Sequence, residues 1–284
     1  MTSSSLPPVD GCIVVVAKCP LPGTSKTRLA PLLGEDGAAA LARAMLGDVL
    51  ISLSQQPVPK ILLYAPGNVE GWNHMAGILQ ELRLFKGWKL VPMKESRDPS
   101  SLKSTDLGTK LSTALIEARA FSGTGGVVFV GMDSPELPME EIHRALHLAT
   151  DHKNAAHVCP AHDGGYGMLC VPRDAPSSIF QGVLWSHPLT AVSQIKALTD
   201  AGVHVTIGRV MHDIDEPCDV MALAERLVSK PSPPTDRLHQ SSSGQTMLTG
   251  ECKLTWDALV KQEIILPSGL GEYMVRKLPS SAQL

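Results

Sequence analysis

The sequence has little of what marks several protein classes. Only 4% of its 284 residues are aromatic, and its six cysteines show no C-x-x-C spacing. Scattered cysteines are typical of single thiols in a reducing compartment, so we expect neither disulfides nor a zinc site. No run of about 18 consecutive apolar residues occurs, and the polar start does not resemble a signal peptide. We therefore expect a cytoplasmic protein without a membrane span.

Charge and motifs exclude further classes. The formal net charge is −3 and there is no long basic run, which disfavours nucleic acid as a partner. The sequence contains neither a Walker A motif nor G-x-S-x-G, so it resembles neither a P-loop NTPase nor an α/β-hydrolase. The ten histidines show no metal-ligand spacing. A small anionic ligand bound by a few Lys and Arg side chains stays compatible with this composition.

Short apolar runs alternate with helical patterns along most of the chain. Runs such as Ile13–Ala17 and Val127–Val130 are typical of strands buried on both faces, and Leu41, Met45, Val49 and Leu53 recur at helical spacing. This alternation predicts an α/β fold with a doubly wound, mostly parallel sheet in three αβα layers. Ligands of such sheets bind beyond the carboxyl ends of the strands.

Composition divides the chain into four predicted parts. Residues 1–10 form an N-terminal extension, 11–229 the α/β domain, 230–245 a Pro- and Ser-rich linker, and 246–284 a C-terminal tail with one short helical pattern.

A loop rich in Pro, Gly and Lys, Lys18–Leu29, follows the first predicted strand. Gly23 lets the backbone approach a phosphate closely, while Lys18, Lys26 and Arg28 offer positive charge and donors. We interpret this loop as a candidate phosphate site, although an exposed basic loop would show the same letters.

Two later segments of the sequence carry acidic residues that could bind a metal ion. Asp133 comes directly after the strand Val127–Val130, and Asp213 and Asp215 alternate in the segment before the last helix of the domain. If that segment is extended, its two carboxylates share one face. Oxygen ligands of this kind suit Mg²⁺ or Mn²⁺. Helix capping by Asp133 is the competing interpretation.

The segment Asp163-Gly164-Gly165-Tyr166 lies between two strand-like runs, and Trp185 precedes another helix. A hairpin turn explains the glycines, and a core position explains the tryptophan. The alternative is an acceptor pocket with glycines as its floor.

The order of these motifs resembles a bacterial-type family of uncharacterised GT-A transferases. Members are often described as radical-SAM/selenodomain-associated glycosyltransferases (DUF2064-like) and are related to phospholactate guanylyltransferases. The resembling segments are Lys18–Leu29, Asp106–Gly108, Gly131–Pro138, Asp163–Tyr166, Trp185-Ser186 and Asp213–Asp219. Together they span roughly residues 11–229.

The resemblance implies a nucleotide-diphospho-sugar transferase (GT-A) fold and a metal-dependent transferase. It implies one set of residues for each role, as follows. Catalysis falls to Lys26, Arg28 and Asp133; nucleotide binding to Lys18, Gly23, Lys26, Thr27, Arg28 and Asp106; acceptor binding to Asp163, Gly164, Gly165, Tyr166 and Trp185; and Mg²⁺ or Mn²⁺ binding to Asp133, Asp213 and Asp215.

Three functions stay open at this point. The family points to sugar transfer from a nucleotide-sugar to a small-molecule acceptor. The crowded Lys/Arg loop favours nucleotidyl transfer from an NTP, because a triphosphate carries more charge. A non-catalytic nucleotide-binding protein on the same fold is the third, and a homodimer is one allowed assembly.

Overall fold

The computed structural model describes residues 10–93, 107–230, 238–240, 246–248, 252–269 and 272–277. Eleven strands are found in these ranges: β1 Cys12–Lys18, β2 Lys60–Ala65, β3 Lys89–Pro92, β4 Val127–Gly131, β5 Ala155–Pro160, β6 Tyr166–Val171, β7 His204–Ile207, β8 Leu238–Gln240, β9 Thr246–Leu248, β10 Ile265–Gly269 and β11 Glu272–Val275. Seven α-helices accompany them: α1 Ala30–Ser54, α2 Val69–Glu81, α3 Leu107–Arg119, α4 Met139–Asp151, α5 Thr190–Asp200, α6 Pro217–Val228 and α7 Lys253–Lys261.

The chain folds into two compact units, each built from separate stretches. Unit 1 comprises Met1–Ala17, Gln56–Gly131 and Pro138–Met211; unit 2 comprises Lys18–Gln55, Met132–Leu137 and His212–Leu284. The predicted linker lies mostly outside the described residues, so the four-part division of the sequence stays a prediction.

A seven-stranded sheet runs through unit 1 in the order β3-β2-β1-β4-β6-β5-β7. The pairs β1–β4, β2–β3 and β5–β7 are parallel, whereas β6 is antiparallel to both β4 and β5. A short turn joins β5 to β6, and so short a connection makes the second strand reverse direction. The predicted α/β fold with a mostly parallel sheet is confirmed, with β6 as its exception.

Helices of unit 1 cover both faces of this sheet. Phe129 of β4 packs in one apolar cluster with Leu115 of α3 and Leu198 of α5. The neighbouring residue Val128 points to the opposite face, as does its register partner Cys170, whose thiol donates to the Ala145 carbonyl of α4 at 3.3 Å. The central strands β1, β4 and β6 are therefore buried on both sides, as their continuous apolar runs predict, whereas the edge strands β3 and β7 are largely exposed.

Unit 2 has its own core. It is formed by α1, α6 and α7, with Met45, Leu223 and Leu259 fully buried among their neighbours. The helical pattern predicted in the tail is confirmed as α7, which packs on α1. The antiparallel pairs β8–β9 and β10–β11 were not expected from the sequence. Trp256 of α7 meets Tyr273 of β11 edge-on at 5.0 Å between ring centroids.

Helix α1 begins earlier than its apolar periodicity indicates. It starts at Ala30 and carries a break at Gly34, whose φ of 72° lies in the left-handed region that glycine adopts readily. The pattern becomes regular only after this break, which is why sequence periodicity predicts a start at Glu35.

One helical segment, Thr27–Ser54, is long and apolar enough to cross a membrane by length and composition. Core helices of water-soluble proteins pass the same test, and 67% of its apolar window is buried inside the protein. Within unit 2 it packs against α7. This burial favours a core helix, and the cytoplasmic location stays a prediction.

A buried carboxylate anchors α7. Asp48 of α1, only 2% exposed, accepts hydrogen bonds from the backbone N–H groups of Leu254 and Thr255 at 3.0 and 2.7 Å. Burial raises the pKa of Asp48 from 3.8 to about 6, although the hydrogen bonds from Thr255 and Leu254 act in the opposite direction. The folded chain therefore holds the Asp48 proton more tightly than the unfolded chain does.

We expect the free energy of unfolding to reflect this proton. The contribution of Asp48 should be fully present below about pH 4 and lost as the pH rises through about 6. The stability difference between wild type and Asp48→Asn should then fall by roughly 3 kcal/mol between these limits, since each pKa unit corresponds to about 1.4 kcal/mol. Urea unfolding at a series of pH values measures this difference, and a difference independent of pH would contradict the account.

Candidate functional site

Lys26 lies at the end of the loop that follows β1 and has a left-handed backbone (φ 51°, ψ 43°). Its neighbours Ser25 and Leu29 are buried and anchor the loop on either side. The Lys26 ammonium reaches Oδ1 of Asp133 at 2.7 Å and Oδ1 of Asp215 at 2.5 Å. The lysine side chain is only 8% exposed, whereas the two aspartate side chains are 39% and 41% exposed. A buried ammonium thus holds together two carboxylates that are open to solvent on another side.

The electrostatics of Lys26 follow from this pairing. Burial by itself would lower the pKa of the ammonium, but the charges and hydrogen bonds of Asp133 and Asp215 outweigh burial and raise it. The lysine is therefore held firmly in its charged form. A buried ammonium without such partners would lose its proton instead.

The acidic residues come from two separate stretches of unit 2, and a backbone hydrogen bond links these stretches. The N–H of Ile214 donates to the carbonyl of Asp133 at 3.1 Å. Ile214 is 1% exposed and points into the core of unit 2. A carboxylate oxygen of Asp213 and one of Asp215 lie within 4.8 Å of each other. This proximity of the Asp213 and Asp215 carboxylates is what the predicted alternation requires.

Helix capping does not explain Asp133. Helix α4 begins at Met139 with Pro138 as its N-cap, and no side chain caps it. By contrast, Asp219 does cap α6, where it forms a capping box with Glu216.

Arg28 lies in a short 3₁₀ helix, Thr27–Leu29, on the outer side of the loop. Its guanidinium donates to Oε1 of Glu216 at 3.1 Å, and its side chain is 69% exposed. Sequence reasoning did not single out Glu216 as a partner. Such an exposed pair contributes little to stability, so the arginine can exchange this carboxylate for another anion at little cost.

The other predicted nucleotide-binding residues are distributed along the same loop. Lys18 and Thr27 are exposed, and Gly23 has a φ of 68°. A Cβ added to Gly23 would come within 3.2 Å of Oε2 of Glu35. Glycine therefore fits both the conformation and the space at this position. Asp106 lies outside the described residues.

Asp163, Gly164 and Gly165 form the turn between the antiparallel strands β5 and β6 of unit 1. Oδ1 of Asp163 accepts from the N–H of Gly165 at 2.7 Å. Gly164 has a φ of 87°, and a Cβ there would overlap the carbonyl oxygen of Pro188 at 1.9 Å. The turn interpretation therefore explains the glycines, and an acceptor-binding role for these residues stays a prediction.

Tyr166 and Trp185 pack together edge-on, with ring centroids 6.4 Å apart. The Tyr166 hydroxyl donates to Oε1 of the buried Gln194 at 3.2 Å, and burial raises the pKa of Tyr166. Gln194 carries no sequence signal that would have identified it. Nε1 of Trp185 is buried without a hydrogen-bond partner among the described residues, so it can donate to a ligand.

The donor set of unit 2 fits a hard divalent cation. Asp133, Asp213 and Asp215 offer only carboxylate oxygens, which Mg²⁺ and Mn²⁺ prefer. Asp133 and Asp215 already share one positive charge, the Lys26 ammonium. These two carboxylates can thus hold either the internal ammonium or an external cation, and the ammonium belongs to the loop suited to phosphates.

The chain resembles known proteins in sequence. The family model DUF2064, an uncharacterised protein conserved in bacteria, matches residues 86–187. The chain is 28% identical over 206 residues to the phosphoenolpyruvate guanylyltransferase of Roseiflexus sp. (strain RS-1), covering 71% of this chain and 80% of that protein. The resemblance to DUF2064-like transferases is confirmed.

A solved structure extends the likeness to the fold. A provisionally assigned nucleotide-diphospho-sugar transferase from Desulfovibrio desulfuricans G20 superposes with a TM-score of 0.69 at 24% identity, covering 88% of this chain and 94% of that one. The predicted GT-A type of fold is confirmed by this match. The guanylyltransferase likeness agrees with the predicted class of enzyme, a transferase.

We expect replacement of Lys26 by methionine to strengthen divalent-cation binding. In Lys26→Met the carboxylates of Asp133 and Asp215 lose the cation they share, and like charges left close together bind another cation or a proton. Mn²⁺ should therefore raise the thermal midpoint of Lys26→Met more than that of wild type. Arg28→Met, from the same loop, is the matched control and should respond as wild type does. An equal Mn²⁺ response in all three proteins would separate Lys26 from the metal site.

Proposed function

We propose that the chain is a nucleotidyltransferase that takes an NTP as donor and passes its nucleotidyl group to a small phosphorylated or hydroxyl acceptor, with release of pyrophosphate. The observation that carries this proposal is the Lys26 ammonium bound between Asp133 and Asp215. The guanylyltransferase likeness over 71% of the chain supports the same reaction class.

Lys26 and Arg28 would bind the donor phosphates. Each is paired with carboxylates in the structure, Lys26 with Asp133 and Asp215 and Arg28 with Glu216. Phosphate oxygens accept charge-assisted hydrogen bonds from Lys and Arg side chains, and they can therefore compete with these carboxylates better than water can. On donor binding, both side chains would turn from carboxylate to phosphate. Lys18, Gly23 and Thr27 would supply further charge and backbone approach along the loop.

Asp133, Asp213 and Asp215 would hold Mg²⁺ or Mn²⁺ once Lys26 has turned away. When bound, such an ion neutralises the charge that builds up on the leaving pyrophosphate. The three carboxylates would hold the ion in place, and the Nζ of Lys26 would stabilise the same developing charge. We assign Lys26, Arg28 and Asp133 the catalytic roles on this basis.

Acceptor binding is proposed for residues of unit 1. The buried indole N–H of Trp185 lacks a partner among the described residues and suits a carboxylate or phosphate oxygen. Asp163 would bind a hydroxyl or ammonium group, and Gly164, Gly165 and Tyr166 would shape its surroundings. The Tyr166 hydroxyl is already bonded to Gln194, so its ring rather than its hydroxyl would contact the acceptor.

Sugar transfer from a nucleoside-diphosphate sugar is the second candidate. The superposition on a nucleotide-diphospho-sugar transferase fold favours it, although fold does not determine reaction. The two reactions release different products: nucleotidyl transfer releases pyrophosphate, and sugar transfer releases a nucleoside diphosphate. A non-catalytic nucleotide-binding protein would bind the donor and release neither.

The decisive assay incubates the chain with Mg²⁺ and each NTP, together with a panel of phosphorylated and hydroxylated acceptors. We expect pyrophosphate release that depends on both metal and acceptor. Incubation with nucleotide-sugars should release no nucleoside diphosphate. Release of nucleoside diphosphate alone would establish the second candidate and overturn the first.

The role of Asp133 is tested in the same assay. Asp133→Asn keeps the size of the side chain and removes its charge, and it should lower kcat/KM about 100-fold, or about 3 kcal/mol of transition-state stabilisation. Asp257→Asn, on an exposed position of α7, is the control and should retain wild-type turnover. Near-normal turnover of Asp133→Asn would remove this carboxylate from the mechanism.

A further inference from the structure

Unit 1 contains a second group of metal-ligating side chains, all of them buried. Glu141 lies in the first turn of α4, and His157 and Cys159 occupy alternate positions of β5. Their exposed fractions are 3%, 0% and 0%. Nε2 of His157 lies 2.7 Å from Oε2 of Glu141 and 3.9 Å from Sγ of Cys159. Three different ligand types thus converge on one point inside the unit.

The tautomer of His157 follows from its other neighbour. The Thr206 hydroxyl donates its single proton to the carbonyl of Ala156 at 3.0 Å. At Nδ1 of His157, 2.8 Å away, the same hydroxyl can then only accept. Nδ1 therefore carries the ring proton. If the ring is neutral, Nε2 has no proton and its lone pair faces the carboxylate of Glu141. Two acceptors at that separation require a cation between them, either a proton or a metal ion.

Gly208 leaves space for that cation. A Cβ on this residue would lie 2.5 Å from Sγ of Cys159 and 2.7 Å from both Oε2 of Glu141 and Nε2 of His157. These distances exceed the corresponding zinc–ligand bonds by about 0.2 Å for the sulfur and by about 0.5 to 0.7 Å for the oxygen and nitrogen. The side-chain-free position of Gly208 is therefore close to all three ligand atoms at once.

We propose that Glu141, His157 and Cys159 form a binding site for a divalent transition metal of the zinc class. A thiolate and an imidazole select such a metal over Mg²⁺ or Ca²⁺, which prefer oxygen ligands. Three protein ligands leave one position of a tetrahedron for water. The site is separate in residues and in ligand chemistry from the carboxylates of unit 2, and it runs against our expectation from cysteine and histidine spacing.

Neighbouring side chains act as supports for these ligands. The bond from His157 to Thr206 fixes the ring orientation, a role that hydroxyls and carbonyls take beside metal-bound histidines. Oε1 of Glu141 lies 4.0 Å from Nε of Arg209, so the oxygen that does not face His157 is close to a positive charge, though beyond hydrogen-bond distance. Both Arg209 and Arg144, the second cation near Glu141, are more than 60% exposed and can swing into solvent.

Metal binding would change the protonation of the ligands. Burial raises the pKa of the Cys159 thiol to about 12, so the thiol is protonated without metal. The pKa of Glu141 is lowered: burial acts to raise it, but His157 and Arg144 outweigh burial. A bound metal replaces the thiol proton and any proton on Nε2 of His157, and both protons pass to solvent.

A cysteine nucleophile is a poorer interpretation of the same residues. In a Cys–His–Glu relay the thiol and the carboxylate would contact opposite nitrogens of the ring. Here Sγ of Cys159 and Oε2 of Glu141 both face Nε2 of His157. A buried thiol with a raised pKa is also a weak nucleophile.

Titration of the chelator-treated chain with Co²⁺ tests the proposal. We expect one equivalent to bind with a thiolate-to-cobalt charge-transfer band in the near ultraviolet, and one equivalent of Zn²⁺ to displace it. Cys159→Ser should lose the band, while Cys218→Ser, which removes an exposed thiol, should keep it. A wild type without the band, or a band lost only in Cys218→Ser, would overturn the site.

Two further variants keep the test valid if Cys159→Ser does not fold. Gly208→Ala keeps the three ligand residues but places its Cβ within 2.7 Å of all three ligand atoms, so that it takes the space of the metal and forces those side chains to move, and it should abolish Co²⁺ binding. Thr206→Val changes an exposed position of β7 and should weaken binding on the order of 10- to 100-fold through loss of the His157 bond. Circular dichroism establishes folding of each variant, and unchanged Co²⁺ affinity in folded Gly208→Ala would contradict the geometry.

Discussion

The pairing of one buried ammonium with two carboxylates is the interaction on which unit 2 depends. Asp133 and Asp215 are 82 residues apart in the chain, and both form ion pairs with the single ammonium group of Lys26. Taking Lys26 out of water is favourable only because both partners accept its hydrogen bonds. The left-handed backbone of Lys26 and the buried Ile214 fix the segments so that these partners meet. Charge and core packing are thus satisfied by the same few residues.

This arrangement gives the site an internal counter-ion. Clustered carboxylates repel one another unless a cation compensates them, and Lys26 compensates them without a bound ligand. A donor rich in phosphates, bound together with a metal ion, can replace both sides of this ion pair. The phosphate oxygens attract the lysine, and the metal ion attracts the carboxylates. The proposed transferase function uses this exchange, and Arg28, paired with Glu216 at the surface, extends it toward the outside of the loop.

Much of the fold could be predicted because local sequence and final structure agree. The apolar run at Val127–Val130 is a strand covered on both faces, and the spacing of Leu41 and Met45 becomes the buried side of α1. The reversal of β6 agrees with the hairpin turn that explains Gly164 and Gly165, whereas the hairpin at β10–β11 was missed, since strand pairing depends on tertiary context more than on the strand's own residues.

Sequence reasoning names Lys26, Asp133 and Asp215 as candidates, but it does not predict the contacts between them. Asp213 and Asp215 flank a buried isoleucine, so period-two alternation identifies their shared side. The contact of Lys26 with Asp133 and the cluster of Glu141, His157 and Cys159 carry no spacing signal, because α4 and β5 meet only in the folded chain. The most direct test of the central claim is a crystal structure with Mn²⁺ and an NTP, using the anomalous signal of manganese. The account predicts manganese bound by Asp133, Asp213 and Asp215, with Nζ of Lys26 on a donor phosphate. Manganese located elsewhere, with Lys26 still bound to both carboxylates, would contradict it.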